Sequence, residues 1–139
     1  VLTYLGSIGS WYLLDDMLDF FNTLLKSKPK AKFLFISKDD PESILKSVRA
    51  KGINEKSILI TPSEREELPS LLSISSTSIF FITPTYSKKA SSPTKMAELL
   101  AMGIPIICNA NVGDANYFLN LENYSILIFS NKIDFCKFG

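Results

Sequence analysis

The residues with the clearest chemical potential lie together in Ser92-Pro93-Thr94-Lys95-Met96-Ala97-Glu98. Ser92 can cap a helix and Pro93 suits its first position, which places Thr94 and Lys95 in the first turn. The unpaired amides of a helix start attract anions. A lysine there opposes the helix dipole, at a cost of roughly a few tenths of a kcal/mol. Either Lys95 completes the shell of a bound phosphate, or it is a solvated lysine that the site tolerates. Glu98 is the one charged residue between Met96 and Ile107 and lies one turn beyond Lys95 on the same face. It is either a surface partner of Lys95 or a carboxylate that accepts hydrogen bonds from the two hydroxyls of a ribose. The helix is short and nearly all apolar, so it is expected to be buried on most sides, and a buried carboxylate needs a partner.

A second candidate is the loop Gly6-Ser7-Ile8-Gly9-Ser10. Glycines let the backbone approach a ligand, and the following helix start offers free N–H groups. The spacing is Gly-x-x-Gly, so the dinucleotide fingerprint is absent, and no P-loop lysine follows. An ordinary turn from strand to helix explains the loop equally well. The third candidate is Thr61-Pro62-Ser63.

Composition narrows the chemistry. The chain has no histidine, which removes Ser-His-Asp triads, Cys-His pairs and histidine-ligated metals; no metal site is expected. Cys108 and Cys136 are isolated thiols, which fit a reducing compartment and no disulfide framework. Fifteen basic residues, all Lys except Arg49 and Arg65, balance 14 acidic ones. No basic field exists for nucleic acid. No apolar run reaches the roughly 18 residues of a membrane span, and the start has no basic segment of a signal peptide. Val1 begins inside an apolar strand, which is expected of a piece cut from a longer protein.

The scaffold that must position these segments is legible as alternating elements. Strands are expected at Val1–Leu5, Lys32–Ser37, Ser57–Ile60, Ser78–Thr83, Ile104–Asn109 and Ser125–Phe129. A helix is expected over Trp11–Lys26, with apolar residues at helical spacing. Asp40-Pro41-Glu42 opens a second helix that stops near Gly52. Ser63 and Glu66 form a capping-box pattern for a third helix to Leu72, with Pro69 a blemish inside it. The fourth helix runs from Pro93 to Met102 with Gly103 closing it, after a polar loop at Tyr86–Ser92. Asp39 and Asp40 both read as helix-capping residues. Apolar strands every 20–30 residues or so, with helices between, define βαβ units. The expected fold is α/β: a Rossmann-like, doubly wound, mostly parallel sheet of about six strands flanked by helices. All three candidate segments then fall at the carboxyl ends of strands, where such sheets bind ligands.

Ser92-Pro93-Thr94-Lys95, Glu98 and Gly103-x-Pro105, after a strand and a polar loop, resemble the donor-binding helix of GT-B glycosyltransferases. The likeness is to the large retaining group, glycosyl transferases group 1. It runs from Leu2 to about Asp114, with Gly6–Gly9 similar to the family's first loop and Asn109 to Gly113-Asp114 to its post-strand segment. The resemblance implies that residues 1–139 form a single donor-binding domain whose N-terminal acceptor domain is absent. It implies Glu98 for the ribose hydroxyls, Ser92, Thr94, Lys95, Gly6, Ser7, Gly9 and Ser10 for the diphosphate, and Thr61 and Ser63 for the base edge. Lys95 would stabilise the leaving diphosphate. The donor would be a nucleoside-diphosphate sugar and the acceptor a sugar or lipid-linked sugar, with no separate cofactor. Bacterial polysaccharide or glycolipid assembly in the cytoplasm, with peripheral contact at the inner membrane face, is implied for the full-length protein. The sequence departs from the family at Ala90, where a Glu is common, at Ser91-Ser92-Pro93, where Gly-rich sequence is usual, and at Ser7, where many members carry Arg. Two other readings remain: a non-catalytic nucleotide-binding domain, and a flavodoxin-like or receiver-like regulatory module. A receiver lacks its acidic cluster here, because the ends of strands 1 and 3 read Gly6-Ser7 and Thr61-Pro62.

Overall fold

A computed structural model describes residues 1–83, 94–109 and 125–128. The polar loop at Tyr86–Ser92, the Pro93 helix start, Gly113-Asp114 and Cys136 lie outside the described residues. In chain order the elements are β1 (Leu2–Leu5), α1 (Leu14–Ser27), β2 (Phe33–Ile36), α2 (Pro41–Ala50), β3 (Ile58–Thr61), α3 (Leu68–Leu72), β4 (Thr77–Phe80), α4 (Thr94–Ala101), β5 (Ile106–Asn109) and β6 (Ser125–Ile128), with a short 3₁₀ turn at Glu55–Ser57. Among the described residues no helix is long and apolar enough to cross a membrane.

The six strands form one sheet in the order β3-β2-β1-β4-β5-β6, and every neighbouring pair is parallel. Strand order runs outward from β1 to β3, then restarts at β4 on the other side of β1. That reversal opens a crevice at the carboxyl ends of β1 and β4, the usual ligand position in such sheets. β1 and β2 are buried along their whole length, as expected of strands covered on both faces. Thr3 is held across the seam between the two halves: Ser78 Oγ donates to its carbonyl at 3.0 Å and its hydroxyl lies 2.6 Å from that of Ser75.

An aromatic row links helix to sheet. Phe21 of α1 stands 5.2 Å from Phe33, Phe33 4.2 Å from Phe35, and Phe35 5.9 Å from Tyr4, centroid to centroid. All four are fully buried. Such contacts add roughly 0.5–1.5 kcal/mol per pair beyond area burial. The row ends at the carboxyl end of β1, so the rigid core reaches the ligand edge.

Two helix boundaries follow the sequence closely. Asp40 caps α2, its carboxylate accepting from the amides of Glu42 and Ser43. Gly103, at φ 67°, ends α4: its amide donates to Leu100 O and that of Ile104 to Leu99 O. This double bond pattern satisfies the last carbonyls, and the backbone turn favours a residue without Cβ.

Two helices differ from expectation. α1 starts at Leu14 rather than Trp11 because residues 11–13 pair with the continuation of β4. Leu13 N–H donates to Phe81 O, Thr83 N–H to Trp11 O, and Tyr12 forms an antiparallel bridge with Ile82. α3 spans only Leu68–Leu72, and the Ser63–Glu66 capping box does not form. Instead Ser63 Oγ donates to Glu64 O, and Glu67 accepts from the Glu64 amide. Pro69 is the reason: inside a longer helix it would remove a hydrogen bond and clash with the turn before it, whereas the first turn accommodates it.

Candidate functional site at the carboxyl edge of the sheet

The first loop grows directly out of the parallel ladder. Gly6 N–H donates to Ile36 O at 2.9 Å and Ser37 N–H to Thr61 O at 3.0 Å, which carries the β1, β2 and β3 alignment into the loops beyond. Gly6 sits at φ 109°, and a Cβ built there would lie 2.8 Å from Lys95 Nζ. Lys95 needs that gap. It points back from α4 across the end of β1, its Nζ 3.9 Å from the ring centre of Tyr12 and 4.7 Å from that of Tyr4. The two rings meet edge to face, 5.6 Å apart at 74°. Lys95 Nζ lies 3.4 Å from the Tyr4 hydroxyl, which donates to Ser7 O at 2.8 Å.

Among the described residues the ammonium is therefore held by aromatic faces rather than by a carboxylate in contact. Burial pushes Lys95 down to about 8, with the Asp39 charge opposing the shift. Burial raises the Tyr4 and Tyr12 phenols above their ordinary range, so both stay neutral wherever the lysine titrates. Asp39 is the nearby counter-charge. Partial burial pushes its carboxyl up, but bonds from the Ile8 amide at 2.6 Å and the Ser7 hydroxyl at 2.7 Å outweigh that and leave it below the usual carboxylate range.

Asp39 thus does something its neighbour does not. Only Asp40 caps α2, while Asp39 pins the first loop. The Ile8 amide, one of the loop donors expected to meet an anion, is already engaged by Asp39. Gly9 and Ser10 form an exposed turn beyond it. Thr94 opens α4, and Ser92 lies outside the described residues. Thr61 turns its hydroxyl to Pro62 O at 3.0 Å.

Glu98 departs from the sequence expectation. It is 41% exposed and lies 3.8 Å from Arg65, which is itself 88% exposed. α4 buries Met96 and Leu99 but leaves Ala97, Ala101 and Met102 open, so only one stripe of this apolar helix packs on the sheet. Glu98 does not need a buried partner, and Lys95 is turned away from it toward the tyrosines.

A cleft of about 430 Å³ lies beside the first loop, lined by residues that include Gly6, Ser7, Ser37, Lys38, Ser63 and Arg65. Lys38 and Glu64 form an ion pair of 2.7 Å, with both side chains largely exposed. The site so assembled offers a caged cation, a glycine-bearing loop and an adjoining cleft whose walls mix Leu5, Ile36 and Leu68 with polar groups: features suited to an anion attached to a flat group with polar edges. Cys108 takes no part; burial pushes its thiol up to about 12. Among the described residues no cluster of His, Cys, Asp or Glu is placed to hold a metal ion.

Sequence reasoning missed Tyr4, Tyr12, Asp39 and Asn109 as parts of this edge. Asn109 ends β5 and clamps the Ile82 backbone in both directions: its Oδ1 accepts from Ile82 N–H at 2.9 Å and its Nδ2 donates to Ile82 O at 2.8 Å. The signal for the tyrosines was positional, since Tyr4 and Tyr12 flank the glycine loop.

The family model for glycosyl transferases group 1 matches residues 1–135, well beyond the Asp114 limit of the visible motifs. No curated protein matches the chain by sequence. Among solved structures, an O-GlcNAc transferase variant from Thermobaculum terrenum aligns with a TM-score of 0.65 at 16% identity, covering 96% of this chain and 26% of that one. The lipopolysaccharide outer core galactosyltransferase WaaB in its apo form aligns at 0.54 and 15%, covering 78% and 29%. The S. aureus MnaA–UDP structure aligns at 0.61 and 11%, covering 98% and 34%. At these identities the likeness is one of fold, and the chain spans about a third or less of each of these longer proteins.

Proposed function

Since the chain belongs to the glycosyl transferases of group 1, we propose that it is the donor-binding half of a two-domain GT-B enzyme that holds a nucleoside-diphosphate sugar. The observation that carries this reading is Lys95, brought by α4 onto the end of β1 beside the Gly6–Ser10 loop at the point where strand order reverses. A diphosphate there meets the ammonium together with the amides at the start of α4, including those of Thr94 and Lys95. The nucleoside extends into the neighbouring cleft, with Ser63 and the backbone at Thr61 toward the base edge and Glu98 toward the ribose. Ser92 would add a hydroxyl at the helix start.

In sugar transfer the leaving diphosphate gains charge as the glycosidic bond breaks. A fixed cation in a partly dry site stabilises that charge more than water does. Lys95 takes this role, and the reading requires no protein nucleophile. The acceptor, a sugar or a lipid-linked sugar, belongs to a second domain, and polysaccharide or glycolipid assembly on the cytoplasmic side of a bacterial membrane is the setting we propose. No cofactor or metal is invoked.

The test is calorimetry with UDP, ADP, GDP and their sugars, paired with hydrolysis and transfer assays. At least one nucleoside diphosphate is expected to bind this chain, with modest affinity because one wall of the pocket is open. Transfer is expected only with the second domain present, because rate enhancement depends on positioning the acceptor in a closed cleft. A folded sample that binds no nucleotide refutes the donor-site reading; transfer by this chain alone refutes the two-domain division.

The lysine also sets a pH dependence. A terminal phosphate has its second ionisation near pH ~6, so the ligand is almost fully charged before Lys95, lowered to about 8, is half deprotonated. Deprotonation removes the cation, so affinity is expected to be level to about pH 7.5 and to fall as pH rises further, by up to about tenfold per unit. Titrations across this range check it; affinity that stays level or rises contradicts the role of Lys95.

A further inference from the structure

We propose that Tyr12 is a positioning residue for Lys95: its ring, carried on a backbone fastened to residues 81–83, holds the ammonium at the place where the diphosphate of a nucleotide would bind. The inference rests on the donor-site reading for its ligand but on separate observations for its geometry.

Tyr12 stands outside regular secondary structure, yet its backbone is fastened. It bridges Ile82, with flanking bonds from Leu13 N–H to Phe81 O at 2.9 Å and from Thr83 N–H to Trp11 O at 2.8 Å. Ile82 is clamped from its other side by both ends of the Asn109 amide. The Tyr12 ring thus projects from a fastened backbone. It stands 3.9 Å from Lys95 Nζ, closer than the Tyr4 ring at 4.7 Å.

The long, flexible lysine side chain has three rotatable donors and no intrinsic reason to lie over β1. The negative faces of aromatic rings attract an ammonium and replace part of its lost hydration. Tyr4 adds direction: Lys95 Nζ approaches its hydroxyl at 3.4 Å, and that hydroxyl donates to Ser7 O. Among the described residues the groups around the ammonium are Tyr4 from β1, Tyr12 from the segment before α1, and Asp39 from the segment after β2 as the acting charge. Glu98, on the lysine's own helix, is turned to Arg65. Phosphate oxygens arriving at the Gly6–Ser10 loop meet a cation already in position, without the entropy loss of ordering a free lysine.

The test compares Tyr12→Phe, which keeps the ring face, with Tyr12→Leu and Tyr12→Met, which fill much of the volume without one. UDP and uridine affinities are measured together with the pH profile of Lys95 acetylation by acetic anhydride, read by mass spectrometry. In Tyr12→Leu and Tyr12→Met, UDP affinity is expected to fall about tenfold while uridine affinity holds. The acetylation midpoint of Lys95 is expected to rise by about one pH unit as the ammonium regains water. Tyr12→Phe is expected to retain most of both properties. Unchanged UDP affinity with an unchanged acetylation midpoint overturns the proposal. Equal losses for UDP and uridine also overturn it, because they mark a general structural effect. If no form binds UDP, the donor-site reading fails, and the acetylation profile alone decides whether Tyr12 positions Lys95.

Discussion

Replacing Lys95 with Ala is expected to weaken UDP binding by about 10–150-fold, the range for loss of a charge-assisted hydrogen bond of about 1.5–3 kcal/mol. The upper part of the range is the more natural expectation. Ser7 brings no charge to the first loop, and its hydroxyl donates to Asp39; among the described cations near the loop Lys95 lies against Gly6, while Lys38 pairs with Glu64 and Arg65 lies beside Glu98. With Lys95 gone, Asp39 would face the incoming phosphates without compensation. Folding should suffer little: an ammonium pushed down to about 8 by burial is costly to keep charged, and removing it relieves that cost. Calorimetry with UDP and thermal unfolding of the same sample separate the two effects. Affinity within about twofold of the parent chain would remove Lys95 from the diphosphate site.

Gly6→Ala is expected to act on stability and binding at once. At φ 109° any residue with a Cβ is strained, and such positions cost about 1–3 kcal/mol. The new methyl would also lie 2.8 Å from Lys95 Nζ and 3.3 Å from Cε. The lysine end is flexible and can retreat, so the clash itself adds little to the folding loss. Its consequence is functional: the ammonium is driven off the tyrosine faces and away from the loop. The expected result is a lower denaturation midpoint together with weaker UDP binding. Gly52→Ala is the control, because a Cβ there meets nothing within 4 Å although φ is positive at 67°, and Gly52 lies outside the site; it should show strain alone. Loss of stability in Gly6→Ala with UDP affinity intact would mean that the lysine does not use the space beside Gly6.

The layered architecture was legible because it depends on local composition. Four- to six-residue apolar runs separated by amphipathic stretches leave few alternatives to a parallel sheet, and Asp40-Pro41 and Gly103 mark helix ends by chemistry confined to a few residues. The interior of the site was not legible in the same way. Lys95 reaches Tyr4 across 91 positions of chain, and no spacing rule connects them. Asp39 and Asp40 are neighbours of the same type, yet one caps its own helix and the other crosses to Ser7 and Ile8. That choice is made by which loops the strand order brings together. The exposure around Glu98 has a related origin: an apolar helix reads as surrounded, whereas α4 packs only one stripe. The extent of α3 followed the local cost of Pro69 rather than the capping pattern upstream of it.

The outermost strand, β3, carries a liability of a different kind. It lies at one margin of the sheet, and Leu59 within it is 43% exposed. A margin strand presents peptide groups along its outer side to any extended segment that approaches, including the same strand of another molecule. Here the strand is four residues long, and the turn before it carries Glu55 and Lys56, so brevity and flanking charge limit edge-to-edge aggregation. The protection is thin at Leu59, which makes this margin a point where crowded or partly unfolded molecules would stick together.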